Sequence, residues 1–230
     1  MSTLTPHNHT PGFATPVRDA QQVFRAVLQA LARPTTPQPV IVELLPPAPL
    51  GATIGAVILA LCDEQTPLWL DQALRASPEV CAWIVFHTGA RIVDSAGDAV
   101  FVIASSPHSA PRLADLARGT DEEPHRSATL VIDACCAPTI GALTASGPGI
   151  PGVARWDGAG LPSDFLGQWH ENHSLFPRGV DIILAAETAV LGLPRTTALV
   201  DADTHEHQHQ HQHQQEQEQE QEQEQDKRSA

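Results

Sequence analysis

Residues 180–193, VDIILAAETAVLGL, lie between two proline–arginine turns, Phe176-Pro177-Arg178-Gly179 and Pro194-Arg195-Thr196-Thr197, and this bracketing constrains the fold more than any other feature of the chain. Each proline fixes φ, and Gly179 supplies conformational freedom. Val180, Ile182, Ile183 and Leu184 form a run too apolar to leave in water, so it must be buried. Residues 185–188 suit a helix by propensity, yet Gly192 and Pro194 interrupt one. The expectation is a hairpin, with strands near 180–185 and 189–194.

The second turn sets a permanently charged guanidinium, Arg195, beside the hydroxyls of Thr196 and Thr197, a grouping chemically suited to a carboxylate or a phosphate. With Arg178 these residues make a candidate anion site. Asp181 competes directly, because pairing with Arg178 or Arg195 removes the arginine from ligand duty. Both readings stand at the level of sequence.

Elsewhere helix and strand signals alternate. Thr15 reads as an N-cap with Pro16 at the first helical position, and Ala20, Phe24, Val27 and Leu31 share a face, which predicts a helix to about residue 32. Six prolines between 34 and 49 forbid regular helix and leave 40–45 as a strand. Residues 53–62 read as a buried helix. Strands are expected at 68–70, 80–86, 99–104, 128–133 and near Leu143, with helices at 111–118, stopped by Gly119, and at 162–173. This order predicts an α/β layered sandwich.

Length allows one full core: about 200 folded residues bury roughly 70% of the surface of their unfolded chain. Residues 1–13 show neither a basic nor an apolar stretch, and the longest apolar run, 54–62, is too short to span a bilayer. A soluble, cytoplasmic protein is expected, with no membrane partner. The four cysteines, Cys62, Cys81, Cys135 and Cys136, lack metal-binding spacing and read as reduced core thiols.

The formal net charge of −14 divides evenly: residues 201–230 hold nine acids and two bases, and residues 1–200 hold eighteen and eleven, so each part is −7. Such a balance opposes binding to nucleic acid, whose phosphates reward clustered Lys and Arg. The only lysine is Lys227, whereas eleven arginines precede residue 201. The glycine-rich stretch 146–152 therefore cannot be a phosphate-binding P-loop, and the folded part has no lysine for a pyridoxal-phosphate aldimine. Residues 205–213 alternate His with mostly Gln, and 216–225 alternate Glu and Gln. This tail has no apolar anchor and reads as disordered; its histidines suit Ni²⁺ or Zn²⁺, or are a low-complexity expansion with incidental affinity.

Scattered groups complete the inventory. His87, directly after the strand expected at 80–86, would sit at a strand mouth where α/β folds place ligands, or serve as a structural histidine. His170-Glu171-Asn172-His173 puts two imidazoles three apart on a helix without the HExxH spacing. Asp133 ends a strand. No GxSxG elbow occurs, and no serine or cysteine has the context of a nucleophile.

Six fragments, in order, carry a family resemblance: GFATPVRDAQQVFRAVLQALARP at 12–34, TPLWL at 66–70, FHTGA at 86–90, LARGTDEEPHRSATLVID at 116–133, FPRGVDIIL at 176–184 and LPRTTALV at 193–200. Together they resemble PhnH, the H subunit of the bacterial carbon–phosphorus lyase system. The resemblance implies a three-layer fold like that of pyridoxal-phosphate transferases without the cofactor, spanning residues 1–200 and leaving 201–230 as tail. It implies a homodimerising, non-catalytic subunit with no cofactor or metal of its own. This subunit works with the G, I and L components to transfer the ribose triphosphate of ATP to methylphosphonate, and assembles with G, I and J. The alternative is an enzyme with its own phosphate or phosphonate site built from His87, Arg178, Asp181 and Arg195; a metal-handling protein is a third reading, resting on the tail alone.

Overall fold

The computed structural model describes residues 10–135 and 139–202. Cys136 and the His/Gln/Glu-rich stretch from 203 onward lie outside the described residues. The elements in chain order are α1 (Pro16–Ala32), β1 (Gln38–Pro39), α2 (Ala52–Leu61), β2 (Leu68–Leu70), α3 (Gln72–Arg75), α4 (Pro78–Thr88), β3 (Phe101–Ala104), β4 (Thr129–Asp133), β5 (Leu143–Ser146), β6 (Val153–Trp156), α5 (Phe165–Ser174), β7 (Asp181–Ala185), β8 (Ala189–Leu193) and β9 (Ala198–Asp201). The fold is mixed α/β. A six-stranded sheet runs β1-β8-β7-β4-β3-β2, and a three-stranded sheet runs β6-β5-β9.

β2, β3, β4 and β7 are mutually parallel; β8 pairs antiparallel with β7, and β1 antiparallel with β8. The period-two geometry of a strand sends neighbouring side chains to opposite faces, so a strand buried on both faces reads as a continuous apolar run. Ile103, Val131 and Ile183 enter one core with residues of α1, α2 and α4. Val102, Leu130, Ile132, Ile182 and Leu184 enter the other with Phe165 and Trp169 of α5 and with Leu143 and Leu199 of the smaller sheet. The apolar run at 180–184 is thus divided between two cores.

The expected hairpin is present, with Ile182 opposite Leu193 and Ala185 opposite Val190. The helix from Pro16 is also present, but Thr15 makes no side-chain cap; its amide instead donates to Asp19 Oδ2 at 2.8 Å. Its buried face is Val23, Ala26, Val27 and Ala30 rather than the one centred on Phe24, which is 50% exposed. The cause lies in β8: a Cβ built on Gly192 would stand 2.5 Å from the Ala30 carbonyl carbon, so helix and strand touch backbone to backbone and only short side chains fit between.

Four expectations are corrected. Residues 80–86 are not a strand but the body of α4: Ser77 Oγ accepts from Val80 N–H at 3.3 Å, Pro78 occupies the first turn, and Gly89 closes the helix at φ +70°. Those caps outweigh β propensity, and Val80, Trp83 and Ile84 are buried at helical spacing. The strand expected at 40–45 is not paired, since only Gln38 and Pro39 join the sheet. The helix expected at 111–118 reduces to one 3-10 turn, Leu113–Asp115. Of the cysteines expected in the core, Cys62 is buried and Cys81 half-buried, but Cys135 is exposed. β6, β9 and the single-turn α3 had no counterpart in the sequence reading.

The contact at Gly192 gives a paired prediction. Gly192→Ala should cost about 3 kcal/mol in urea unfolding, because neither backbone can retreat without opening the core. Gly167→Ala, inside α5 with nothing within 4 Å of the new methyl, should stabilise by about 0.5–1 kcal/mol. Equal effects at the two glycines would contradict the close approach.

Candidate functional site

The two arginine turns converge on one acidic loop. Gly179, at φ +118°, donates its amide to Arg118 O at 2.9 Å, which seats the first turn on residues 118–127. Asp181 then opens β7 with its carboxylate facing the second turn. Arg195 Nε lies 3.1 Å from Asp181 Oδ1, Nη2 lies 2.5 Å from Oδ2, and the Arg195 amide donates to Oδ1 at 2.8 Å. Nη1 reaches Pro124 O at 3.0 Å and Pro177 O at 3.4 Å. Every nitrogen of the guanidinium is therefore engaged, and the side chains of the pair are only 15% and 22% exposed. This fork-to-fork pairing of a mostly buried arginine is the strong kind of ion pair.

Arg178 takes a looser partner: its Nε, itself buried, lies 3.1 Å from Asp121 Oδ1 on the same loop but makes no hydrogen bond among the described residues, and the side chains are 38% and 74% exposed, so that pair adds little stability. Thr196 is half-buried. Thr197 is fully buried, and its hydroxyl has no hydrogen-bond partner among the described residues.

α5 locks the second turn from below. Trp169 Nε1 donates to Thr197 O at 2.8 Å, His173 Nδ1 lies 2.8 Å from Arg195 O, and His170 Nε2 lies 2.7 Å from Leu199 O. A ring nitrogen facing a carbonyl must carry the proton, so both imidazoles act as donors to main chain. The buried Asn172 between them accepts from Val180 N at 2.7 Å and donates to Val180 O at 3.0 Å, replacing a missing strand neighbour. Gln168 Oε1 accepts from Leu113 N at 3.0 Å. A cavity of about 10 Å³ remains between 112–118 and α5, near the minimum for one water.

Of the residues proposed for an anion site, the structure brings together Arg178, Arg195, Thr196 and Thr197, with Arg195 turned onto the internal acid Asp181. His87 is elsewhere. It occupies the last turn of α4 rather than a strand mouth, 3.1 Å from Thr10 O and against the rings of Trp83 and Phe86, where it helps hold the N-terminal segment. No group of three or more potential metal ligands occurs among the described residues.

The carboxyl ends of the parallel strands carry two aspartates. Asp71, one residue after β2, accepts from Leu74 N at 2.9 Å, Ser105 N at 2.7 Å and Ser105 Oγ at 2.6 Å, tying the ends of β2 and β3 together. Burial alone would push its carboxyl up, but the hydrogen bonds from Leu74, Ser105 and Ser109 prevail and hold it below the ordinary range. The sequence reading missed Asp71, although Asp before QALR is an N-cap signal. Asp133 is the opposite case: burial raises its carboxyl, only partly offset by the Cys135 amide donating at 2.9 Å. Burial, with the Asp63 charge beside it, also pushes the Cys62 thiol up to about 12, which makes it an inert core group.

The class that emerges is a mixed α/β protein in which arginine turns distant in sequence are fastened onto one acidic loop and onto the polar face of one helix. The family model for bacterial phosphonate metabolism protein (PhnH) matches residues 11–200. The chain is 42% identical over 191 residues to the alpha-D-ribose 1-methylphosphonate 5-triphosphate synthase subunit PhnH of Rhizobium meliloti strain 1021, covering 83% of this chain and 95% of that protein. The chain belongs to the PhnH family.

The orphaned hydroxyl separates a structural from a ligand-binding second turn. Thr197→Val keeps the shape and removes a buried, unpaired oxygen, so it should raise unfolding stability by up to about 1 kcal/mol with the fold unchanged by circular dichroism. A loss of stability of similar size would show that the hydroxyl has a partner.

Proposed function

We propose that this chain is the H subunit of a bacterial carbon–phosphorus lyase system, a component without a catalytic constellation of its own in the breakdown of organophosphonates. In this reading it acts with the G, I and L components as they transfer the ribose triphosphate of ATP to methylphosphonate and displace adenine. It assembles with the G, I and J subunits in the cytoplasm, as a homodimer, on a fold like that of pyridoxal-phosphate transferases from which the cofactor has been lost. The observation that carries the proposal is the 42% identity to a synthase subunit over 95% of that protein's length.

The geometry supports a subunit over an independent anion-binding enzyme. A phosphate site needs donors aimed at open space, whereas Arg195 spends its donors on Asp181 and two carbonyls and Thr197 is sealed in the core. No helix among the described residues is long and apolar enough to cross a membrane.

Reconstitution tests the reading. Purified G, I and L components with MgATP and methylphosphonate should form the ribosyl methylphosphonate triphosphate, followed by ³¹P NMR, only when this chain is added, while the chain alone should leave both substrates unchanged. Turnover by the isolated chain, or equal product without it, would contradict the proposal.

A further inference from the structure

Residues 40–45 alternate in burial as a strand does, yet 41–45 pair with no strand. After Val40 N donates to Thr188 O at 2.8 Å the chain leaves the sheet, and the amides of residues 41–45 have no partner among the described residues. Ile41 is 73% exposed and Leu45 83% exposed. Prolines at 37, 39, 46, 47 and 49 bracket the segment, so any pairing is confined to this one window. A groove of about 530 Å³ runs along it, with Pro11, Gly12 and Ala14 forming the opposite wall.

α1 borders the segment. Gln22 Nε2 donates to Ile41 O at 3.0 Å, which holds the segment against α1. The outward side of α1 carries Val17, Phe24 and Leu28, respectively 73%, 50% and 52% exposed, at helical spacing. Beside them stand the exposed Arg18 and Arg25, neither with an ion pair among the described residues. The surface is apolar, with these two arginines along α1 and the exposed Glu43 along the groove. Asp19 keeps its charge and turns its carboxylate onto the Thr15 amide at the start of the helix.

We infer that residues 41–45 and the outward side of α1 form the docking site for an extended segment of a partner subunit, apolar at its centre and acidic at its flank. Main-chain pairing satisfies the free amides as an added strand would, alternate apolar side chains cover Ile41, Leu45 and the groove, and partner carboxylates meet Arg18 and Arg25. A lipid surface accounts for the arginines and the apolar stripe but offers nothing to the amides of 41–45. The inference rests on the subunit reading above and names the surface through which it operates.

The test uses the full chain with purified G, I and J subunits. Affinity is measured by calorimetry for the wild type, for Leu28→Glu/Ile41→Glu, for Arg18→Glu/Arg25→Glu, and for Val153→Glu on the second sheet as control, each variant checked by thermal unfolding. The expected result is binding weakened about tenfold or more by the first two variants and unchanged by the control, with the arginine variant also losing salt dependence. Hydrogen exchange on the wild-type complex should show new protection at 41–45, a readout independent of any substitution. A wild type that assembles while all variants bind equally and 41–45 stays unprotected overturns the docking site and leaves the subunit reading intact; a wild type that does not assemble overturns both. Binding to phosphatidylserine vesicles lost in the same variants, or a dimer turned monomer by them in sedimentation, would also overturn the inference, in favour of a lipid surface or a self-interface.

Discussion

Arg195 lies between Asp181 and the carbonyls of Pro124 and Pro177, and through it three stretches of chain far apart in sequence meet: the acidic loop 118–127, the first turn with the start of β7, and the turn from β8 to β9. An arginine with its carboxylate mostly withdrawn from water is costly to bury and costlier still to leave half-paired. The bidentate pair, the amide of Arg195 on the same carboxylate and the carbonyls on Nη1 meet that demand together. A lysine cannot replace such a fork, since it offers one point charge.

The rest of the second core is arranged around this node. α5 contributes Gln168, Trp169, His170, Asn172 and His173, each hydrogen-bonded to main chain of the turns, of β9 or of Leu113. These bonds place β9 beside β5, so the small sheet closes over Val102, Leu130 and Ile182. On the other core α1 and β8 touch directly at Gly192, while Thr53 Oγ1 donates to Glu187 O at 2.7 Å and Trp83 Nε1 to Thr10 O at 2.9 Å. Side-chain bonds to main chain serve both faces of the sheet; the backbone contact at Gly192 marks one face and the Arg195–Asp181 pair the other.

The hairpin at 181–193 was legible because its two signals agree: apolar residues too dense to expose, and breakers at Gly192 and Pro194 that stop a helix. The helix at 78–88 was misread because Val, Ile, Trp and Phe suit a strand, although Ser77, Pro78 and Gly89 already spelled its ends. At 40–45 the alternation is real, with Val40 and Leu44 buried and Ile41 and Leu45 exposed, but a strand also needs a neighbour, and that is a tertiary fact. The arginine turns were found and both their readings named. Sequence offered Asp181 as partner without showing that the carbonyls of Pro124 and Pro177 would complete the set. His170 and His173 drew notice as possible ligands, while the residue between them that sustains Val180, Asn172, drew none, since a buried amide has no signature apart from its partners.

The central claim is that the arginine of the second turn is a structural lock. Hydrogen exchange of Arg195→Lys against the wild type tests it most directly, since the variant keeps a positive charge near Asp181 and loses the fork. The account predicts that the amides of Gly179, Thr120 and Arg126, which donate within and to the acidic loop, exchange about tenfold or more faster, while Val131 and Ile183 in the central strands keep their protection. Unchanged exchange in the loop would contradict the account and return Arg195 to the role of a free cation awaiting a ligand.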